Sequence, residues 1–392
     1  MLTTQHIQIV KSTVPLLEQG GVAITEHFYA RLFRENPQLK NIFNMSHQKT
    51  GAQKVALFEA VVAYAKNIDN LSALKQAVER IAQKHTSFNI QPEQYDIVGH
   101  NLIETMRELL GDIFTPDVEE AWSTAYSVLA NIFINREEEI YSGNENKQGG
   151  WRGKRAFRIS EKTQESELVT SFIFVPVDEQ GVSIFKPGQY LGVSIDSPLL
   201  ENTEIRQYSL SDKNNGQSYR ISVKKELGEH NGVASNFLHD HLNEGDVVDL
   251  YAPCGDFYYE DKGAPVILIS GGVGITPMQS MLETLHNNGF DQHVDYIHAC
   301  ESNEQHSFNT RNSELTQSNN WGYHIWYTKD AEKFGFNSGY IDLSQKSMPI
   351  DNGDFYLCGP VMFMKFMKEQ LVTLGVSDDR IHYEVFGPHA SL

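Results

Sequence analysis

The chain has 392 residues and a formal net charge of −19, from 32 basic and 51 acidic side chains. Its length predicts two or three domains, and its acidity argues against non-specific binding to nucleic acid or to an anionic membrane. Three cysteines, Cys254, Cys300 and Cys358, are too few and too widely spaced for a disulfide scaffold or a CxxC zinc site, no apolar run approaches the ~18 residues of a membrane span, and the N-terminal MLTTQHIQIVKS lacks a signal-type apolar core, so a cytoplasmic protein is expected.

Residues 1–140 read as helix after helix. Ile24, Phe28, Tyr29, Leu32 and Phe33 predict an amphipathic helix that stops before Pro37. A short corner over 41–45 carries Phe43. Gln53, Leu57, Val61 and Tyr64 then line one face of another helix. In LKQAVERIAQKHTSF, residues Leu74, Val78, Ile81, His85 and Phe88 are spaced four, three, four and three apart, one helical stripe. Lys75, Gln76, Glu79, Arg80 and Gln83 face the other way. His85 ends an apolar stripe. It is either a metal-ligating imidazole or a hydrogen-bonded core histidine. Pro92 suits a helix start, and Tyr95, Val98, Leu102 and Met106 form the next stripe. The last stripe holds Trp122, Tyr126, Leu129, Phe133, Glu137 and Ile140. A carboxylate on such a stripe needs partners if it is buried. Glu137 either meets His85 and Tyr95 or lies exposed at a fraying helix end.

The stretch 141–150, YSGNENKQGG, is polar and Gly-rich and reads as a linker. After Trp151 the pattern changes to short β-rich runs at 156–161, 168–175, 190–195, 206–210, 219–224 and 247–251, which suggests an antiparallel barrel over 151–262. Arg206, Gln207, Tyr208 and Ser209 form an R-x-Y-S motif. There an Arg can pair with a pyrophosphate, a Tyr can stack on a flat ring and a Ser can hydrogen-bond a ring nitrogen. Tyr and Ser are also ordinary strand residues. At 232–238, GVASNFL reads as a loop entering a helix, either a phosphate site near Ser235 or a plain Ser-capped helix.

From 263 to 392, strands at 266–269, 294–299, 323–327 and 354–357 alternate with helices, which implies a parallel, doubly wound sheet. The first strand runs into Ser270, Gly271, Gly272, Val273, Gly274, Ile275, Thr276 and Pro277. A helix with Met278, Met281, Leu282 and Leu285 on its buried side follows and stops at Gly289, with Thr276 as its cap and Pro277 in its first turn. Such a turn is a phosphate cradle or simply a tight strand-to-helix connection. Cys358, Gly359 and Pro360 follow the last of these strands. Glu301 ends the second. A carboxylate there would accept from a ribose 2′-OH and repel a 2′-phosphate, so if the turn holds a dinucleotide, NADH is expected over NADPH.

The runs NPQLKNIFNMSHQKTGAQ, AQKHTSFNIQPEQYDIVG and YSVLANIFINREEEIY resemble the globin domain of bacterial flavohaemoglobins. PGQY at 187–190, the R-x-Y-S motif and GVASNFL resemble the FAD domain of the ferredoxin–NADP reductase family, and GGVGxTP its nicotinamide domain. The tail Tyr383–Pro388, YEVFGP, is similar to the flavohaemoglobin C-terminus. The order covers essentially the whole chain. The resemblance implies an all-α globin, an antiparallel β-barrel FAD domain and an α/β nicotinamide domain. It implies haem b with His85 as proximal ligand and Tyr95 and Glu137 as its hydrogen-bond set. It makes Phe43 the corner residue on the haem, Lys84 the tuning neighbour of His85, and Tyr29 and Gln53 the stabilisers of bound oxygen, with Leu57 narrowing the pocket. For FAD it implies Tyr190, Arg206, Gln207, Tyr208, Ser209 and Ser235. For the nicotinamide cofactor it implies Ser270, Gly271, Gly272, Val273, Gly274 and Ile275, although Ile275 replaces a polar residue. In the tail it implies Glu384, Val385, Phe386, Gly387 and Pro388.

The family acts as a nitric oxide dioxygenase. That implies nitric oxide, dioxygen and NAD(P)H as substrates, no nucleic acid, no membrane span, and a monomer with lipid contact allowed. Three alternatives stay open: a flavin or ferric reductase with a secondary globin, a haem sensor or oxygen store, and a lipid-hydroperoxide reductase.

Overall fold

The computed structural model describes residues 2–45, 48, 51–228 and 231–387. They divide into two compact units, 1–146 with 194–206, and 147–193 with 207–392.

In the first unit, helices run over Thr4–Gly20, Val22–Glu35, Ala52–Lys66, Lys75–Thr86, Pro92–Leu110 and Pro116–Glu145. The first had no counterpart in the sequence reading. Val10, Val14 and Leu17 give it a buried stripe that pins it to the last helix, where Trp122 Nε1 donates to Thr13 Oγ1 at 3.1 Å. Two expectations need correction. The His85 helix ends at Thr86, with Ser87 as C-cap, so Phe88 lies beyond it. Asn89 turns into the left-handed region there (φ 57°), a conformation Asn tolerates, and the chain reverses into the Pro92 helix. The expected linker is helical through Glu145, because Tyr141 and Asn144 are buried and the Tyr141 hydroxyl donates to Ile90 O at 2.9 Å. Burial of that turn outweighs its polar composition.

In the second fold, β1 (Arg155–Gln164), β2 (Val169–Pro176), β3 (Tyr190–Ile195), β4 (Glu204–Ser209), β5 (Tyr219–Lys224) and β6 (Val247–Cys254) form one sheet in the order β4-β3-β6-β1-β2-β5. The pairs β1–β2, β1–β6 and β2–β5 are antiparallel. An antiparallel bridge between Leu210, just past β4, and Ile221 on β5 joins the two edge strands. The sheet therefore closes into a barrel without a free edge there. On its strands Phe157, Phe172, Phe174, Leu191, Val193 and Ile221 are fully buried.

The third fold is a parallel sheet of β7 (Val266–Gly271), β8 (Val294–Cys300), β9 (Gly322–Tyr327), β10 (Asn337–Ser338), β11 (Asp354–Cys358) and β12 (Ile381–Glu384), ordered β10-β9-β8-β7-β11-β12. All six residues of β7 are buried, as a parallel strand covered on both faces requires. Leu268 points into a core with Met278, Met281 and Leu282, whereas Ile267 and Ile269 point into one with Met364, Met367 and Leu371. Strand order reverses between β7 and β11. Ligands bind outside the carboxyl ends of the strands at such a switch point.

Candidate functional site

Three places gather the chemistry, beginning with His85. Its Nδ1 lies 2.7 Å from Glu137 Oε1 and 2.9 Å from the Tyr95 hydroxyl. The Tyr95 hydroxyl also donates to Glu137 Oε1. Glu137 is 2% exposed, so the exposed-end alternative is excluded. A buried carboxylate accepting from Nδ1–H fixes the tautomer and leaves the lone pair on Nε2. No residue among those described bonds Nε2, and the side chain stays one-third exposed. That fits an imidazole that gives Nε2 to a metal. A lone imidazole of this kind suits the axial position of a metal held by a macrocycle, and among the described residues there is no group of three or more His, Cys, Asp and Glu that could hold a metal ion.

Tertiary packing builds this set. A Cβ at Gly99 would sit 2.4 Å from the Tyr126 ring, so only glycine lets Tyr126 lie against that helix. The Tyr126 hydroxyl donates to Tyr95 O at 2.6 Å and holds the Tyr95 turn in register. Arg136 grips Glu79 through two bonds of 2.6 and 2.9 Å and ties the last helix to the His85 helix. Being partly exposed, that pair contributes at most about 1 kcal/mol. Lys84 is half-buried beside His85 and has polar partners of its own.

Tyr29 is 5% exposed. It stacks on Phe33 at 5.8 Å and meets the edges of Phe28 and Phe43 at 5.1 and 5.9 Å. Leu57 packs on the same cluster. Burial holds the phenol far above its ordinary range, against a hydrogen bond from Gln48 that pulls it down, so it stays a protonated donor. Gln48 Nε2 in turn donates to Gln53 Oε1 at 2.9 Å. The sequence reading missed Gln48, since nothing in the periodicity of the corner before Gly51 points a side chain inward.

The second place is on the barrel. Strand β4 carries Arg206, Gln207, Tyr208 and Ser209. The Arg206 guanidinium pairs with Glu204 and donates to Ile205 O at 2.8 Å. Gln207 and Tyr208 are half-buried and Ser209 is buried. Ser235 lies in the first turn of the Val233–His241 helix, but Gly232 is the cap. The plain Ser-cap alternative fails, because Ser235 Oγ instead accepts from Glu226 N at 3.3 Å. Tyr190 is half-buried at the start of β3 and hydrogen-bonds Cys254. Burial pushes its phenol far up, helped by the negative charges of Glu384 and Asp256.

The third place is the switch point. The helix after β7 spans Ile275–Asn287, starting one residue before the expected cap. Thr276 Oγ1 donates to Val273 O at 3.1 Å rather than capping. Ile275 is 1% exposed within the core, so its side chain cannot reach a nucleotide and only its backbone can. A Cβ on Gly274 would come within 2.3 Å of Cys358 O, which shows how closely the Gly-rich turn and the Cys358-Gly359-Pro360 turn approach. The Cys358 thiol is fully buried in the core, and burial, with the charge of Glu384, holds it well above its usual range. Glu301 directly follows β8, pairs with Lys329 and accepts from Gln305 Nε2 at 3.0 Å. Glu384 and Val385 are half-buried, Phe386 is exposed, Gly387 is half-buried, and Pro388 lies outside the described residues.

Beside this turn sits a buried pair that the sequence reading also missed. Ser270 Oγ lies 2.8 Å from His298 Nδ1, the His298 and His306 rings stack at 4.8 Å, and His306 Nδ1 lies 2.8 Å from the Tyr327 hydroxyl. Burial pushes His306 down to about 3 from 6.5. The folded chain therefore refuses a proton that the unfolded chain accepts below pH 6.5. The cost is absent above that pH and grows as pH falls through the window from 6.5 to 3, reaching about 2 kcal/mol at pH 5. His298, lowered by burial and by His306, adds a second slope of the same sign. His306→Gln should remove one of the two, read as a flatter fall of the urea midpoint between pH 7 and 5.

A family model described as Globin matches residues 26–133, one described as Oxidoreductase FAD-binding domain matches 156–259, and one described as Oxidoreductase NAD-binding domain matches 268–369. A flavohemoprotein of Vibrio cholerae serotype O1 is 53% identical over 394 residues, covering 100% of both chains. The chain belongs to the flavohemoprotein family. Among solved structures, the flavohemoglobin from Malassezia yamatoensis with bound FAD and heme is 28% identical and covers 98% of this chain and 100% of its own, with a TM-score of 0.88. The flavohem-like FAD/NAD-binding domain of nitric oxide dioxygenase from Vibrio cholerae O1 biovar El Tor is 44% identical and covers 60% of this chain and 100% of its own, with a TM-score of 0.58. Among the described residues no helix is long and apolar enough to cross a membrane.

For a flavohemoprotein, Glu137 makes a direct test. Glu137→Gln keeps the shape but replaces an anionic acceptor with an amide. It should slow haem-dependent turnover about 10- to 100-fold while NADH-to-dye electron transfer stays unchanged. Equal loss of both activities would contradict a proximal role.

Proposed function

We propose that this chain is a nitric oxide dioxygenase, oxidising nitric oxide to nitrate with dioxygen and electrons from NADH or NADPH. The observation that carries the reading is His85, with Nδ1–H held by Glu137 and Tyr95 and Nε2 unspent, on one polypeptide with an oxidoreductase-type barrel and sheet. The V. cholerae relative of that barrel and sheet is a nitric oxide dioxygenase domain, and the Malassezia relative carries FAD and heme. In this reading residues 1–140 hold haem b, 151–262 hold FAD, 263–392 hold the nicotinamide, and 141–150 joins the first two.

When bound, the nicotinamide supplies a hydride, FAD converts it to single electrons, and haem supplies the iron at which dioxygen reacts. His85 would hold that iron through Nε2. Glu137 holds the Nδ1 proton and raises the basicity of Nε2, and Tyr95 anchors the carboxylate. Tyr29 and Gln53 would offer hydrogen-bond donors on the distal side, Phe43 would pack on the haem, and Leu57 would limit the space. Arg206 balances pyrophosphate charge, with Gln207, Tyr208, Ser209, Ser235 and Tyr190 completing the flavin contacts. The 270–275 turn offers backbone N–H groups to the nicotinamide cofactor, and Glu384, Val385, Phe386, Gly387 and Pro388 border the flavin. Glu301 favours NADH over NADPH. Monomeric, cytoplasmic action without nucleic acid, with lipid contact allowed, belongs to the same reading.

The test is nitric oxide consumption by haem- and FAD-loaded protein with NADH, in air and without oxygen. Rapid aerobic loss with nitrate as product, and NADH oxidised in step, is the expected result. Slow aerobic loss, despite active flavin reduction and a normal haem spectrum, would point to a reductase with a secondary globin.

A further inference from the structure

We propose that Gln48 is a positioning residue that sets the donor polarity of both Tyr29 and Gln53. The inference rests on the reading above, in which those two side chains face a ligand on the haem. Gln48 is 7% exposed. Its Nε2 donates to Gln53 Oε1 at 2.9 Å, and the same side chain donates to the Tyr29 hydroxyl. An amide NH2 has two hydrogens, so one group serves both partners.

The consequence is directional. A Tyr oxygen that already accepts from Gln48 keeps its O–H hydrogen for a third group. A Gln53 carbonyl that already accepts from Gln48 is anchored, and its own NH2 is the end left to act. Both side chains therefore present donors, which a partly negative oxygen needs. Phe28, Phe33 and Phe43 clamp the Tyr29 ring, so the hydroxyl rotor is its main remaining freedom. Without Gln48, the Tyr29 O–H can turn onto Gln53 Oε1 and the two groups satisfy each other. The pocket then keeps its shape and loses its polarity.

The test uses the ferrous carbon monoxide adduct of the full-length, haem-loaded protein, read by resonance Raman and infrared spectroscopy. Donors aimed at the ligand oxygen strengthen Fe–C and weaken C–O. Gln48→Glu is nearly isosteric, but a carboxylate takes the Tyr29 hydrogen and donates nothing to Gln53. Gln48→Leu removes both bonds. Both variants should lower the Fe–C stretch and raise the C–O stretch, in the direction of Tyr29→Phe, and should speed dioxygen dissociation about tenfold, the loss of roughly one charge-assisted hydrogen bond. A space-filling Gln48 would leave Gln48→Glu at the wild-type frequencies. Unchanged frequencies in both Gln48 variants, with a shift in Tyr29→Phe, overturn the role of Gln48 alone. Unchanged frequencies in Tyr29→Phe as well overturn the distal reading and the inference together.

Discussion

His85→Ala should abolish nitric oxide consumption while leaving the reductase intact. The expected result is a haem affinity lowered by more than ~100-fold, since even second-shell changes at metal sites cost 10- to 100-fold. NADH-driven dye reduction should stay at the wild-type rate, because His85, Tyr95 and Glu137 lie on helices of the first unit, whereas the residues assigned to FAD and the nicotinamide lie on the barrel and the parallel sheet. The substitution also leaves Glu137 and Tyr95 facing each other without the imidazole. A buried carboxylate that loses one of two donors costs about 1–3 kcal/mol, so the helical domain should melt earlier as well. The measurements are haem titration by absorbance and the two activities side by side. The outcome that defeats the assignment is a variant that binds haem normally and consumes nitric oxide. External imidazole gives a second check: it should restore part of the haem spectrum to His85→Ala by occupying the space of the missing ring.

What could be read in the chain depended on whether a residue's role lay in its own element. His85, Tyr95 and Glu137 each sit on an apolar stripe, so helical period marked all three while leaving Glu137 either inward or exposed at a helix end, and β3 and β5 fell on the expected residues because turns bracket them. Period did not fix their convergence, which the family resemblance alone implied. That convergence depends on Gly99 admitting Tyr126 and on the left-handed Asn89, neither of which periodicity encodes. The Thr4–Gly20 helix was missed although Val10, Val14 and Leu17 recur at helical spacing, because Pro15 interrupts the segment. Composition misled at 141–145, where the polar Asn144 is buried by packing. Gln48 and the His298–His306 stack were hidden for a different reason. Each matters only through partners far away in sequence or in an irregular corner, so no local pattern marks it. Ile275 shows the converse, since a residue inside a motif can belong wholly to the core.

Gly274→Val should disable the nicotinamide domain and spare the haem domain. The backbone at Gly274 is ordinary in φ (−62°), so glycine is not needed there for conformation. It is needed for space. An added Cβ would meet Cys358 O at 2.3 Å, Cys358 C at 2.4 Å and Gly359 N at 2.6 Å, and all three are backbone atoms. Cys358 closes β11, which is held between β7 and β12 in the middle of the sheet, so that backbone cannot retreat without breaking ladder hydrogen bonds. Overpacking against a fixed backbone costs about 1–3 kcal/mol and more when nothing can yield, so a loss of roughly 3–4 kcal/mol is expected. The functional loss should exceed the loss in stability. The two turns flank the switch point where a dinucleotide binds, and prising them apart moves the phosphate-holding N–H groups away from the helix start. NADH-driven flavin reduction should fall by more than ~100-fold, since misplacement by about 1 Å can cost that much, while FAD content and the haem spectrum stay normal. Stopped-flow reduction of the flavin by NADH measures this directly. Reduction by dithionite in the same sample separates a lost nucleotide site from a lost flavin. If NADH still reduced the flavin at the wild-type rate, the nucleotide would have to bind away from this turn, and the 270–275 assignment would fall.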